Sequence, residues 1–207
     1  MPSTTYGRWN PTDVLERVLD SNWPSPTPFA MNLVTPTSVD KTGTGSTATV
    51  NTNGSVTFSS CTTLSLNGVF TSNFDNYMIV SLETGTAGSE AVLYRLRSSF
   101  SDASATNYTN QYISAHTTSI TGSRTTSENR GIFKNIDAGR DGGVLYIYGP
   151  GLTQPTVSRS VNVNTLDSAR LVDYVTTHGL STNYDGITFL PVSATISGLV
   201  CVYGLGI

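Results

Sequence analysis

A nucleophilic serine, threonine or cysteine needs a base beside it, most often histidine, and the chain supplies His116 and His178 for that role. His116 stands in Ser-Ala-His-Thr-Thr-Ser and His178 in Thr-Thr-His-Gly. Both contexts read as polar strand ends or loops, and no G-x-S-x-G elbow presents a serine to either ring. Metal ligation asks for clustered Cys, His or carboxylates. The nearest approach is Asp137-Ala-Gly-Arg-Asp141-Gly, which lacks the third acidic position and the distal Glu of an EF-hand loop. Arg140 would also neutralise part of it. Turn chemistry accounts for this stretch, and Asp141-Gly142-Gly143 is expected to be a turn. Glycoside hydrolysis uses two carboxylates across a cleft. Glu83, Glu90, Asp137 and Asp173 are available, but they are few and dispersed, and spacing in sequence does not make them face each other. No glycine-rich turn opens a helix, as a phosphate cradle would require. The expectation is a protein without catalytic residues, metal or cofactor.

Binding fits the residues better than catalysis. The ten tyrosines outnumber the seven phenylalanines, and tyrosine offers an apolar ring with a polar tip that suits sugar or protein surfaces. Most of them alternate with apolar strand residues, so a core or a subunit interface is the leading reading. Two polar stretches are expected to be exposed contact loops. One runs from Asp102 to Asn110, with Tyr108 and Asn110. The other runs from Thr121 to Asn129, with Arg124 inside it and Arg130 just beyond.

The elements that position these residues follow from composition and periodicity. Charged residues make up 12% of the chain, about half the share of an average soluble domain, whereas Ser and Thr together number 58. Threonine suits a pleated surface, and serine and glycine suit turns. A net charge of −3 argues against nucleic acid, because phosphate affinity comes from neutralising Lys and Arg. No apolar run reaches the roughly 18 residues of a membrane helix. The first 30 residues lack the basic start and apolar centre of a signal peptide, so synthesis in a cytoplasm is expected. Cys61 and Cys201 each sit in an apolar, strand-like run. Buried free thiols are expected, with a disulfide between them as the alternative.

From Val39 onward the pattern has period two. Val56 and Phe58, then Leu64 and Leu66, alternate with Ser and Thr, the signature of half-buried antiparallel strands. Further strands are predicted over residues 77–82, 91–97, 111–114, 131–136, 144–148, 157–163, 170–175, 186–189 and 194–203. About ten short strands joined by tight turns predict an all-β jelly roll or sandwich over residues 37–207. Residues 1–36 read differently. Asn10 and Pro11 form an N-cap and first helical position. Val14, Leu15, Val18 and Leu19 then share one side of a short helix, with Trp9 placed to staple onto Val14. Pro24, Pro26, Pro28 and Pro36 follow as an extended spacer, with Trp23 as an anchor. Such a helix is marginal alone, so its stripe must dock, either on its own domain or, as an arm, on a neighbouring subunit.

An ordered series of motifs carries a resemblance. Ser65-Leu66-Asn67-Gly68-Val69-Phe70 is followed by Phe74-Asp75-Asn76-Tyr77-Met78-Ile79-Val80, then by Tyr94-Arg95-Leu96-Arg97 and Ala105-Thr106-Asn107-Tyr108. The series closes with Tyr184-Asp185-Gly186-Ile187 and Ser197-Gly198…Val202-Tyr203-Gly204. From about Ser55 to Ile207 the chain resembles virion proteins of tailed bacteriophages, of the minor tail, tail-fibre or head-decoration type. The resemblance implies a non-enzymatic, trimeric β knob made in the host cytoplasm and carried on the virion. Its N-terminus would lie toward the particle, and the arm would bind another virion protein. The knob would contact a host glycan or protein, or decorate the capsid. The alternatives from other classes are a free carbohydrate-binding module or lectin and a small β-fold glycan hydrolase.

Overall fold

Period-two alternation becomes strand wherever the chain is described. The computed structural model describes residues 31–86, 90–116, 118–136, 140–164 and 170–206, with no helix among them. Its strands are β1 (Met31–Leu33), β2 (Ser38–Thr42), β3 (Thr47–Val50), β4 (Val56–Cys61), β5 (Thr63–Asn67), β6 (Asn76–Gly85), β7 (Glu90–Ser98) and β8 (Ser101–Asp102). They continue with β9 (Tyr108–His116), β10 (Ser119–Glu128), β11 (Gly131–Ile136), β12 (Arg140–Tyr148), β13 (Thr156–Asn164), β14 (Arg170–His178), β15 (Gly186–Pro191) and β16 (Ile196–Leu205). The expected helix around Val14, Leu15, Val18 and Leu19, with Trp9 and Trp23, lies outside the described residues, as does Asp137.

Antiparallel pairing builds two sheets. The large one runs β10-β9-β14-β13-β12-β6-β16-β4-β3 with β1 added beside β16, and the small one runs β11-β7-β15-β5-β2 with β8 beside β7. They share one apolar core. Ile79, Leu145, Val200 and Val202 of the large sheet and Leu64, Leu66, Leu96, Ile187 and Phe189 of the small one are all at most 2% exposed. Phe133 on β11 meets Phe189 with ring centroids 5.5 Å apart. Each such side chain contributes roughly 1.5–3 kcal/mol by leaving water.

Four expectations change. Met31–Leu33, assigned above to the spacer, pairs with Leu205–Tyr203, so the β structure begins before residue 37. The stretch Thr121–Asn129 is not a loop, because residues up to Glu128 belong to β10, which pairs with β9. Asp141-Gly142-Gly143 is not a turn but the interior of β12, bonded to β6 and β13. A Cβ on Gly143 would lie 2.8 Å from Lys134 Cδ, so this glycine serves close approach rather than chain reversal. Finally, Tyr108 and Asn110 are not loop residues: both belong to β9 and are 0% and 5% exposed.

One half of the interior is polar. On β13, Thr156, Ser158, Ser160 and Asn162 point inward and are at most 2% exposed, while Val157 points outward and is 39% exposed. Hydrogen bonds compensate much of this burial: Ser158 meets Tyr94 Oη at 2.7 Å, and Ser160 donates to the Phe133 carbonyl. Thr176 donates to Asn110 Oδ1 at 2.7 Å, and Asn110 Nδ2 to the Arg130 carbonyl at 3.1 Å.

Candidate functional site

The connections β5–β6, β7–β8, β12–β13 and β14–β15 meet at one end of the two layers and enclose an open groove of about 450 Å³. Its walls include Thr71, Phe74, Asp75, Ser99, Asn183 and Asp185. Each loop is latched in place. Tyr77, fully buried, donates from its hydroxyl toward the Thr71 and Phe74 carbonyls at 2.8 and 3.0 Å and accepts from Thr71 N at 2.6 Å. Tyr184 N donates to the Pro150 carbonyl at 2.7 Å, and Gly149 N to the Asp75 carbonyl at 2.9 Å. Asp185 N reaches the Arg97 carbonyl at 2.9 Å, and Phe70 N reaches the Asp185 carbonyl at 3.1 Å. The aromatic–Asp segments singled out in the sequence, Phe74-Asp75 and Tyr184-Asp185, thus lie on one groove.

The β7–β8 hairpin forms its rim. Ser98 pairs with Ser101, leaving Ser99 and Phe100 as a two-residue turn with φ of 50° and 68°. Such left-handed pairs match strand twist but favour Asn-Gly; a phenylalanine there is strained. Two side chains hold the turn: Asp185 Oδ2 accepts from Ser99 N at 3.1 Å, and Arg97 Nη2 donates to the Phe100 carbonyl. Arg97, 7% exposed, also donates to Asn67 Oδ1 at 3.1 Å, Ser65 Oγ at 2.8 Å, Thr188 Oγ1 at 2.7 Å and Asp102 Oδ1 at 2.6 Å. The product of this scaffolding is a Phe100 ring that is 67% exposed. Strain retained by surrounding contacts is a mark of functional positions. Asp185 Oδ1 is buried without a hydrogen-bond partner, a second cost accepted at this rim. The groove offers carboxylates, hydroxyls and an amide to a polyhydroxyl ligand and includes Phe70 and Phe74 in its lining, while Phe100 stands beside it, next in the chain to the lining residue Ser99.

The described residues weighed for chemistry lie elsewhere and apart. Glu83 points inward on β6, 1% exposed, and sits 3.4 Å from the ammonium of fully buried Lys134. Lys134 also donates to the Asp141 carbonyl at 3.0 Å, and burial lowers its pKa against the opposing pull of Glu83. Glu90 accepts from Ser193 N and Ala194 N, holding the β15–β16 loop. Asp173 faces the other side of the large sheet and grips Arg159 through contacts of 2.6 and 3.1 Å. These carboxylates do not share a cleft. His178 is 1% exposed between the rings of Tyr108 and Tyr184. Its Nδ1 lies 3.2 Å from Tyr184 Oη, and burial lowers its pKa. Cys61 and Cys201 are free; Cys61 is buried, which raises its thiol pKa, and Cys201 is only partly buried. Among the described residues no cluster of three His, Cys, Asp or Glu could hold a metal.

Of the expected contact residues, Tyr108 spends its hydroxyl on Leu96 N at 3.0 Å inside the protein, and Asn110 is equally internal. Arg124 is exposed on β10, and Arg130 is partly exposed. The groove and its Phe100 rim went unread in sequence, because their members come from four separated segments. No protein-family model matches the chain, and no curated protein matches it either.

Proposed function

We propose that this chain is a non-enzymatic surface module of a bacteriophage virion, on tail, fibre or capsid, that presents a preformed contact site. The observation that carries the adhesive part is the loop-built groove, whose strained rim hairpin holds Phe100 in water while Arg97 and Asp185 fix its backbone. Preorganised loops on a rigid β scaffold are the usual way to carry recognition. The virion part rests on the ordered motif series from Ser55 onward and on a charge-poor, Ser/Thr-rich composition. In this reading the two layers are a sandwich of jelly-roll type and copies of the chain form a trimer. Residues before Met31 are an arm joined to another virion protein, and the groove meets a host glycan or protein. Labelled antibody against the chain should decorate intact particles in electron micrographs. Particles bare of label, with the protein free in the lysate, would reject the virion reading.

The groove's carboxylate, hydroxyl and amide lining favours a second reading, a free carbohydrate-binding module. Glycan-array binding that depends on Asp75 and Asn183, by a protein absent from particles, would select it.

A further inference from the structure

The outer face of the large sheet is apolar where a lone sheet should be polar. Residues paired across β12, β6 and β16 alternate in register, so Val144, Tyr146, Val80, Met78, Cys201 and Tyr203 all point away from the core. The inward positions of the same strands, including Ile79, Leu145 and Val202, are already buried. These strands are therefore apolar on both faces, the pattern of a sheet covered on both sides. On β13 the alternation is inverted outright: Thr156, Ser158, Ser160 and Asn162 point in, while Val157 points out at 39% exposure. β14 is apolar on both faces, with Val172 and Tyr174 buried inside and Leu171 and Val175 outside at 52% and 43% exposure. Single exposed apolar residues need no explanation, but a contiguous patch marks an interaction surface.

We infer that this face is where one copy of the chain meets another, which rests on the assembled-module reading above and names the surface responsible. Charge selects the occupant. Among the described side chains of β14, β13, β12, β6 and β16, the charged ones on this face are Arg159 and Asp173, and they pair with each other in one chain. Among its described side chains the face is net neutral, so an identical copy approaches them without repulsion and none of them selects a charged partner. Size agrees. Five strands spaced about 4.8 Å apart, each about nine residues at about 3.3 Å per residue, present roughly 700 Å². A stable interface takes about 800 Å² from each partner.

The test uses the full chain. Light scattering after gel filtration gives the mass of the wild type and of Leu82→Lys, Tyr148→Lys and Thr44→Asp. Leu82 and Tyr148 are already 40% and 45% exposed in a single chain, so lysine at either position leaves the core intact. Thr44 is an exposed turn residue between β2 and β3, outside the five strands of the face. Maleimide labelling of Cys201, with buried Cys61 as internal control for folding, reads coverage of the face independently. Expected are an oligomer for wild type and Thr44→Asp with slow Cys201 labelling. For both lysine variants a lower mass and at least about tenfold faster Cys201 labelling are expected, with Cys61 slow throughout. A dimer rather than a trimer would uphold the face and reject the trimeric stoichiometry. An oligomer that survives both lysines would place the contact elsewhere and overturn the inference. A wild-type monomer with fast Cys201 labelling would mean a bare face. A monomer with slow labelling would mean that residues 1–30 or another segment of the same chain cover it. Either overturns the inference while leaving localisation on particles to be decided by microscopy.

Discussion

Lys134 and Glu83 form the least tolerant contact in the interior. The ammonium is 0% exposed and the carboxylate 1%, 3.4 Å apart, with Glu83 Oε2 accepting no hydrogen bond. Glu83→Leu would leave Lys134 with the Asp141 carbonyl and would remove the larger of the two carboxylate attractions on it, that of Asp141 remaining. Breaking one side of a buried pair typically costs about 3–5 kcal/mol, against total stabilities of about 5–15 kcal/mol. The double variant Glu83→Leu/Lys134→Met removes both members of this pair, though not the buried Asp141 nearby, and should cost clearly less than the sum of the two single changes. Equilibrium unfolding in guanidinium at one fixed protein concentration measures all four corners of the cycle. Both tryptophans precede Met31, so far-UV circular dichroism is the proper probe of the sheets. The single change should lower the midpoint by about 1 M, taking roughly 4 kcal/mol per M for the slope. Protonation gives a second handle. Burial lowers the Lys134 pKa from 10.5, so between the lowered value and 10.5 the unfolded chain binds more protons and stability rises with pH. That rise should vanish in Lys134→Met. A cost below about 1 kcal/mol for Glu83→Leu, or a double variant as damaged as the sum of the singles, would refute the reasoning.

Phe100→Gly removes the left-handed strain at φ 68° and should stabilise the fold by about 0.5–1 kcal/mol, while weakening host adsorption or glycan binding. Unchanged binding would remove Phe100 from the contact site. Tyr94, fully buried, has its pKa pushed up to about 12 by desolvation. Above pH 10 the folded state holds a proton that the unfolded state releases, so stability should fall from pH 10 to about 12 by roughly 3 kcal/mol. Tyr94→Phe should flatten that limb in alkaline melts. His178 behaves in the opposite way: its pKa is lowered by burial from 6.5, so stability should be lost as pH falls below 6.5. His178→Phe should suppress this acid slope in urea titrations from pH 4 to 8, and a retained slope would mean that another group titrates.

Much of the strand order was legible because burial writes period two into sequence. The stretch 131–136 is strand β11 residue for residue, and the apolar runs of β6, β12 and β16 declare themselves. β10 did not. Its first nine residues are exposed, so no buried face selects apolar residues, and backbone bonds to β9 alone make it a strand. Asp141-Gly142-Gly143 misled for a different reason. Its glycine makes room for a buried lysine stem, and close approach uses the same residue as a turn. Tyr108 and Asn110 sit in a run of Asn and Thr that reads as exposed. Asn110 can be internal because the Arg130 carbonyl and Thr176 hydroxyl satisfy it there, a pairing that spans 66 residues to Thr176 and leaves no local sign.

The inversion on β13 carries the last consequence. Period two shows that a strand has two faces but not which is covered, and Val-Ser-Arg-Ser-Val reads naturally with valine inside. The protein does the reverse, and leaves Thr156 Oγ1 and Asn162 Oδ1 buried without partners, each costing about 1–3 kcal/mol. A single copy then gains little from the outward valines. Association recovers that missing apolar burial, so stability must depend on concentration. If copies meet through this face, a hundredfold rise in protein concentration favours the folded assembly by about 1–2 kcal/mol per chain. For a chain of this length that raises the thermal midpoint by about 2–8 °C. Scanning calorimetry from 2 to 200 μM (roughly the range where mass action would act) reads the shift directly. Leu82→Lys should abolish it. A midpoint independent of concentration in the wild type would mean that the exposed valines and tyrosines stay in water, and that β13 is inverted for a reason internal to one chain.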